Sequence, residues 1–218
     1  ARILRYSPRS RTTSLPVVPV FRSSADQRKG RCGRVQKGIC VRLYAEDDYQ
    51  SRPQYTRPEI LRANLAEVIL RMIALRLGDI ADFPFIDRPD PKSIKDGFDL
   101  LYELGAIHNR CQVSGVRRRA HDDAVERKTI KGVSASSVEL TEKGRLMAKV
   151  PLDPRLSRML IEARDRRCID KIAVIAAALS IRDPRERPLE KAAEADRMHS
   201  QFDDPASDFT TLLNIWNR

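Results

Sequence analysis

The chain has 218 residues and a formal net charge of +11, with 41% hydrophobic and 33% charged side chains. This length allows one large domain or two small ones, and the apolar content excludes a wholly disordered chain. No apolar run approaches the roughly 20 residues of a transmembrane helix, and the first residues lack the apolar stretch of a signal peptide. We therefore expect a cytoplasmic protein without a membrane partner, whose four scattered cysteines are reduced.

The first 44 residues hold nearly all of the excess charge, because eleven basic side chains there face the single acid Asp26. Nine of the eleven are arginines, which can bind phosphate groups in a bidentate way. One interpretation is a polyphosphate partner, either a nucleic acid or a nucleotide. The other is a solvated basic arm, and composition alone does not decide between them.

This basic region begins with short apolar segments broken by prolines. Residues 3–6 and 15–21 are predicted to form two strands around a polar turn. Residues 39–44 read ICVRLY, a β-branched and aromatic pattern that predicts a buried strand.

The next hundred residues alternate between helical and strand patterns. Thr56 can cap a helix with an apolar face that ends at Gly78, and a second helix is expected from Ser93 to Gly105. Helices followed by a two-stranded wing predict a winged-helix-like module. Its remaining predicted parts are strands near residues 106–108 and 138–140, an exposed excursion over 109–137 between them, and a short helix over 141–148.

The last 65 residues are predicted to be helical. Asp153 and Pro154 open one helix, and residues 170–179 are apolar on nearly all sides, which predicts a helix that is packed all round. A charged helix over 189–199 and a final helix from Asp208 follow, and we expect Trp216 of that final helix to lie in the core. No metal site is expected, because the three histidines, His108, His121 and His199, have no acid or cysteine at ligand spacing.

The segment most indicative of function is QRKGRCGR, residues 27–34. Its two glycines allow the backbone to turn tightly and to approach a ligand closely. On a helical turn Arg31 and Arg34 share a face, where two guanidinium groups can clamp a γ-phosphate. Gln27 lies four residues before Arg31, and its neutral amide can orient an attacking water. For this string alone, an RNA-binding segment of the RGG type is the alternative.

Seven further blocks follow this segment and, together with it, resemble the DEAH-box ATP-dependent RNA helicases of the bacterial HrpA type. The resemblance covers almost the whole chain apart from residues 109–137, and it is specific because the eight blocks occur in the family's order. The seven blocks are ICVRLYAEDDY, RPEILRANLAEVIL, LGDIADFPFIDRPD, DGFDLLYELGAI, LTEKGRLMAKVPLDPRLSRML, LSIRDPRERP and SDFTTLLNIWN.

The resemblance implies a C-terminal helicase fragment with a mixed α/β, mostly helical fold. Residues 1–55 would be the C-terminal part of the second RecA-like domain, in which residues 3–20 are similar to the β-hairpin that helps to separate strands in the family. Residues 56–150 would be a winged-helix domain. Residues 151–218 would be the start of the helical ratchet domain of the helicase-associated region.

The resemblance also implies roles for individual residues. QRKGRCGR matches helicase motif VI, so that Gln27 would position the hydrolytic water, Arg31 and Arg34 would be arginine fingers on the γ-phosphate, and Gly30 would complete the nucleotide site. The implied cofactor is ATP with Mg²⁺. The chain contains neither a GxxxxGK[ST] P-loop nor a DEAH box, so the Mg²⁺ ligands are expected in a first RecA-like domain that is a partner of this chain.

The implied macromolecular partner is RNA, in single-stranded form. We therefore expect this chain to be part of a helicase and to be inactive alone. One alternative is a non-enzymatic winged-helix nucleic-acid-binding protein, which has no need for the fixed offsets within motif VI, and another is a truncated reading frame without a function. The candidate RNA-binding residues are Arg5, Arg9, Arg11, Arg155 and Arg158.

Overall fold

The computed structural model describes residues 2–8, 10–109, 137–181, 183 and 185–218. The chain divides into two compact units, one formed by Ala1–Leu65 with Ala81–Gly97 and the other by Ala66–Ile80 with Phe98–Arg218. The described part is mixed α/β and mostly helical, as predicted. The predicted domain boundaries at residues 55/56 and 150/151 differ from the limits of these units and remain predictions. No helix in the described ranges is long and apolar enough to cross a membrane.

The first unit begins with a β-hairpin, as the sequence predicts, but its second strand lies earlier than expected. The strands are antiparallel, with Arg5 opposite Ser14 and Ser7 opposite Thr12, so only four residues form the turn. Arg11 closes this short turn at a φ of 52°. The elements of the first unit are β1 (Arg5–Ser7), β2 (Thr12–Ser14), α1 (Arg22–Lys29), α2 (Glu46–Ser51) and a 3₁₀ turn (Glu59–Leu61).

The Asp96 carboxylate and the Arg62 carbonyl, both in the first unit, anchor this hairpin. The hydroxyl of Tyr6 donates to Asp96 over 2.7 Å, and Nε of Arg11 donates to the other oxygen of that carboxylate over 3.2 Å. Asp96 is only 8% exposed. The backbone N–H of Tyr6 donates to the carbonyl of Arg62 over 2.9 Å, and the Arg62 guanidinium returns a bond to the carbonyl of Leu4. The hairpin is therefore fixed at both strand and turn.

The predicted buried strand over residues 39–44 is wrong for this chain. The segment has no regular secondary structure, and Ile39, Val41 and Leu43 are 92%, 76% and 95% exposed. Residues 35–44 make no backbone hydrogen bond within the described part of the chain. The β-branched pattern is present, but a strand needs a neighbour to satisfy its N–H and C=O groups, and the described residues supply none.

The second unit contains most of the helices. The predicted helix from Thr56 begins instead at Ala66, because residues 59–61 form a separate 3₁₀ turn. The excursion, including Arg117–Arg119, falls largely on residues 110–136, outside the described ranges. The helices and strands are α3 (Ala66–Leu75), α4 (Pro91–Glu103, which starts in the first unit), β3 (Ile107–Asn109), β4 (Val138–Leu140), α5 (Glu142–Lys149), α6 (Pro154–Asp165), α7 (Ile169–Ser180), α8 (Ala192–His199) and α9 (Asp208–Trp216).

Two glycines determine how the short sheet joins its helices. Gly105 ends α4 at a φ of 65°, which any side chain would strain, and β3 follows at once. β3 and β4 pair antiparallel, with Ile107 opposite Leu140. Thr141 then caps α5, since its hydroxyl accepts from the N–H of Gly144 and donates to the carbonyl of Gly105 over 2.6 Å. A Cβ on Gly144 would overlap the carbonyl oxygen of Ala106, so α5 lies directly on the backbone of the residue that precedes β3.

The helices of the second unit pack in sequence around an apolar core. α3 contacts α5 and β4, α5 contacts α6, α6 contacts α7, and α7 contacts α9. The prediction that α7 is packed all round is wrong, because only Ile175 and Ala176 are buried along it and Leu179 is 47% exposed. Representative core residues are Ile69, Leu101, Met147, Ile161 and Ala176.

The expectation that Trp216 lies in the core is also wrong. Trp216 is 72% exposed at the end of α9, whereas the buried residue of this helix is Thr211. The Thr211 hydroxyl accepts the N–H of Asp204 over 2.9 Å, which accounts for a polar side chain inside the unit. The helix is capped by Ser207, whose hydroxyl accepts from the N–H of Phe209, rather than by Asp208.

Candidate functional site

The QRKGRCGR segment spans the last turn of α1 and the loop that follows it. The N–H of Gly30 donates to the carbonyl of Asp26 over 2.9 Å, which is an α-helical bond. The N–H groups of Arg31 and Cys32 then donate to the carbonyls of Arg28 and Lys29 over 3.1 and 3.0 Å, in the tighter i to i+3 pattern. The helical path therefore continues past α1 as far as Cys32.

The three predicted catalytic side chains of this segment, Gln27, Arg31 and Arg34, are all exposed. Within the described part of the chain, neither Arg31 nor Arg34 has a carboxylate within salt-bridge distance or a hydrogen-bond acceptor for its guanidinium group. Gln27 lies in α1, Arg31 in the turn, and Arg34 at the start of the irregular loop. Two unpaired guanidinium groups next to one helix end are able to bind a phosphate group from outside the unit.

Asp26, the residue just before the QRKGRCGR segment, anchors the helix α1 that carries this segment. The Asp26 carboxylate accepts the hydroxyl of Tyr49 over 2.7 Å and an N–H of Arg42 over 2.6 Å. The Arg42 guanidinium also lies over the Tyr49 ring, 4.0 Å from its centroid. The hydrogen bonds from Tyr49 and then Arg42 lower the pKa of Asp26, and Asp26 in turn raises the pKa of Arg42. This cluster ties α1 to α2 and to the loop between them.

A second set of contacts lies in α2 and the residues on either side of it. Arg52 pairs with Asp48 one turn earlier and lies over the Tyr44 ring, 4.1 Å from its centroid. That hydrogen-bonded pair lowers the pKa of Asp48 and raises the pKa of Arg52. Tyr44 also stacks on Tyr49 with their centroids 6.3 Å apart. Sequence reasoning did not assign these residues, although alternating aromatic and arginine positions were a usable signal.

Gly38 is a further residue that sequence reasoning missed. A Cβ on Gly38 would overlap the backbone carbonyl oxygen of Cys32, so the loop after the QRKGRCGR segment folds back against its turn. The two backbones lie beside a cavity of about 380 Å³ that Asp26 and Lys29 also line. The loop conformation that presents Arg34 therefore requires a glycine at position 38.

The predicted RNA-binding residues of the hairpin have different environments. Arg5 is exposed on β1, whereas Arg11 is paired with Asp96. Arg9 lies outside the described residues. The structure thus leaves Arg5 open to a ligand and gives Arg11 an intramolecular partner.

The two predicted RNA-binding residues of α6 also differ. The Arg158 guanidinium is half-buried, and it donates to the carbonyl of Leu104 over 3.2 Å and to Glu162 over 2.8 Å. Glu162 accepts from Arg166 as well, and these bonds from Arg158 and Arg166 lower its pKa. Arg155 has no such ion pair within the described ranges.

Comparison with known proteins finds relatives that align with the whole chain. It is 49% identical over 217 residues to the ATP-dependent RNA helicase HrpA of Escherichia coli, an alignment that covers 100% of this chain and 15% of that protein. It is 48% identical over 216 residues to the ATP-dependent RNA helicase HrpA homolog of Haemophilus influenzae, covering 99% of this chain and 15% of that protein. The chain thus spans about a seventh of the length of these relatives.

A shorter match falls on the helical end of the second unit. Residues 153–212 match the helicase associated domain (HA2), ratchet-like. This range includes α6, α7 and α8 and the first half of α9. By sequence, the chain is therefore related along its whole length to one segment of the HrpA group of ATP-dependent RNA helicases.

Proposed function

We propose that this chain is part of an ATP-dependent RNA helicase and supplies the arginine side of its nucleotide site. The observation that carries the proposal is the pair Arg31 and Arg34, exposed and unpaired within the described residues at the end of α1. This pair lies in a segment that matches helicase motif VI, in a chain 49% identical to HrpA of Escherichia coli. The position of Gln27 on the preceding turn supports its role in orienting water.

The side chains present fit a nucleoside triphosphate. Unpaired guanidinium groups suit the oxygens of a γ-phosphate, and Gly30, which is exposed and has no side chain, would let a ligand approach the backbone beside them. Bound ATP supplies the phosphoanhydride bond whose cleavage drives the helicase cycle. Arg31 and Arg34 would stabilise the charge that develops on the transferred phosphoryl group, and Gln27 would hold the attacking water in line. The Mg²⁺ ligands and the P-loop lysine would come from the first RecA-like domain.

The hairpin and α6 would contribute to the path of a single-stranded RNA. Arg5 and Arg155, which are without ion pairs in the described part of the chain, are favoured over Arg11 and Arg158 for direct phosphate contacts. Arg9 remains a candidate by sequence alone. In this proposal residues 1–55 complete the second RecA-like domain, and residues 56–150 form a winged helix between it and the ratchet domain.

The test is to place alanine at Arg31 or Arg34 in a complete helicase that contains this segment. We expect ATP turnover to fall by about 10³–10⁵-fold while ATP affinity changes little, because an arginine finger acts chiefly on charge that develops in the transition state. Lysine at either position is expected to restore little turnover, since an ammonium lacks the planar fork.

Lys29→Ala is the matched control for this test, because Lys29 is an exposed cation of the same helix end. Its turnover is expected to stay close to that of the unaltered enzyme. Loss of ATP binding with retained turnover in the arginine variants, or an equal defect in Lys29→Ala, would show that the assigned roles are wrong.

A further inference from the structure

The first unit contains a second candidate site, away from the QRKGRCGR segment. It is a cavity of about 850 Å³ between the β1–β2 hairpin, the chain around the 3₁₀ turn, and the start of α4. Five basic side chains line it, and Asp90 is the only acid among its lining residues. The basic residues are Arg5, Arg57, Arg62, Arg88 and Lys92.

These five charges are not balanced within the described part of the chain, where none of them has a carboxylate within 4.0 Å. The Asp90 carboxylate accepts the backbone N–H of Lys92 over 2.9 Å at the start of α4, and its single charge leaves the lining with an excess of four positive charges. The Arg62 guanidinium donates to the carbonyl of Leu4, but its Nε is buried and has no acceptor among the described residues. Like charges around one cavity repel one another, so an anion that enters is strongly favoured.

The same cavity has an apolar and aromatic side. Tyr6, Phe21 and Ile3 line it and are half-buried, and Leu61 lines it with 37% of its surface exposed. The orientation of the Tyr6 ring is fixed, because its hydroxyl donates to the buried carboxylate of Asp96. A ligand that satisfies both sides carries negative charge at one end and a flat apolar group at the other.

We propose that this cavity binds a nucleotide unit of single-stranded RNA, with the phosphate toward Arg57, Arg88 and Lys92 and the base against Tyr6 and Phe21. Its volume is in the range of cavities that bury ligands of about this size, and aromatic stacking with phosphate contacts is the general way in which proteins hold single strands. The inference rests on the proposed function, since it assigns a site for the RNA of that helicase. An acidic peptide would satisfy the cations but would leave the aromatic side unused.

The experiment measures binding of a fluorescein-labelled 12-nucleotide oligouridylate to the 218-residue chain, by anisotropy, at several salt concentrations. The double variant Arg88→Ala/Lys92→Ala removes two cavity cations. Each lost phosphate contact reduces the slope of log K against log salt by about 0.7, so we expect the slope to fall by about 1.4 and the affinity to fall about tenfold or more at low salt. The exchange variant Arg88→Lys/Lys92→Arg keeps the charge and is expected to retain most of the slope.

The matched control is Lys95→Ala/Lys143→Ala, which removes two exposed cations that do not line the cavity. If it lowers the slope as much as the cavity variant, the RNA role stands and the cavity assignment is overturned. If the unaltered chain binds no oligouridylate, the proposed RNA role itself is overturned. Two further probes test the base contact with Tyr6 and Phe21. This contact would be excluded if polyglutamate of the same charge displaced the oligouridylate as well as unlabelled oligouridylate does, or if an abasic phosphodiester of the same length bound as tightly as the oligouridylate.

Discussion

The arginines of the first unit fall into two classes. Arg42 and Arg52 have carboxylate partners and lie on tyrosine rings, so they stabilise the local structure. Arg31 and Arg34 have neither in the described part of the chain. The paired arginines are therefore positioning residues, and the unpaired ones are candidate phosphate ligands. A count of basic residues does not distinguish these two groups.

The Asp26 cluster predicts a measurable acid titration. The pKa of Asp26 is lowered in the folded chain. The stabilisation that the ionised carboxylate provides is therefore present above the unfolded pKa of about 3.9, and it is lost as the pH falls through the lower folded pKa. Tyr49→Phe removes the largest cause of the shift, and we expect the Asp26 carboxyl midpoint, followed by ¹³C NMR, to rise toward its ordinary value. Tyr55→Phe is the control, because Tyr55 does not contact Asp26. An unchanged midpoint in Tyr49→Phe would mean that this hydrogen bond is absent in solution.

At the scale of elements, the contact between α5 and the backbone of Ala106, just before β3, depends on Gly144. A methyl group there meets the carbonyl of Ala106, so Gly144→Ala is expected to destabilise the second unit by roughly 1–3 kcal/mol, the range for overpacked sites. This loss outweighs the gain of up to about 1 kcal/mol that alanine provides over glycine inside a helix. Urea unfolding measures the difference.

The neighbouring Lys143→Ala is the control for this substitution, because Lys143 is exposed on the same helix. Its effect on the free energy of unfolding is expected within about 0.5 kcal/mol. A Gly144→Ala chain as stable as the original would show that α5 does not lie against the backbone of Ala106.

The hairpin depends on Asp96 in a similar way. Asp96→Ala removes the acceptor of both Tyr6 and Arg11, and the loss of hydrogen bonds to a charged carboxylate costs roughly 1–3 kcal/mol. We expect faster amide hydrogen exchange at Tyr6 and Ile3, whose N–H groups donate to the carbonyls of Arg62 and Pro16. Lys95→Ala, on the same helix, is expected to leave these rates unchanged, and equal acceleration by both variants would argue against the anchor.

Sequence patterns predicted the elements whose signals are local. Gly105 ends α4, Thr141 caps α5 and Asp153 caps α6, each through a bond to neighbouring backbone groups. The patterns failed where the outcome depends on distant partners. Among the described residues, 39–44 have strand composition but no strand to pair with, and Trp216 has helical spacing but is 72% exposed. Arg31 and Arg34 were identified by spacing and resemblance, whereas Gly38 emerged only from the backbone approach to Cys32.

At the scale of the whole molecule, charge and core are unevenly distributed. Residues 1–44 carry most of the net charge of +11, yet among the described residues the first unit buries only three apolar side chains, Ala25, Leu65 and Pro89. The remaining buried apolar side chains belong to the second unit. Polar contacts such as the Asp26 and Asp96 clusters therefore hold the first unit, whereas the second unit has a core of its own.

The final prediction concerns activity of the chain alone. Because the sequence has no P-loop lysine and no DEAH box, we expect the 218-residue chain to release no phosphate from ATP, with or without RNA. The positive control is the complete ATP-dependent RNA helicase HrpA of Escherichia coli under the same conditions. Turnover that is stimulated by RNA and abolished by Arg34→Ala in the chain alone would contradict this expectation.

The exposed segment around ICVRLY has a consequence for the chain in solution. Ile39, Val41 and Leu43 alternate along an irregular, exposed segment whose N–H and C=O groups make no backbone hydrogen bond with the described residues, so this segment is open to pairing with a second chain. Short segments of high β-propensity that are open in this way seed aggregates, and Arg42 is the single charge that interrupts the segment. Arg42 is paired with Asp26, so its positive charge repels a second copy of the chain less strongly. The solubility of the isolated chain therefore depends on its concentration.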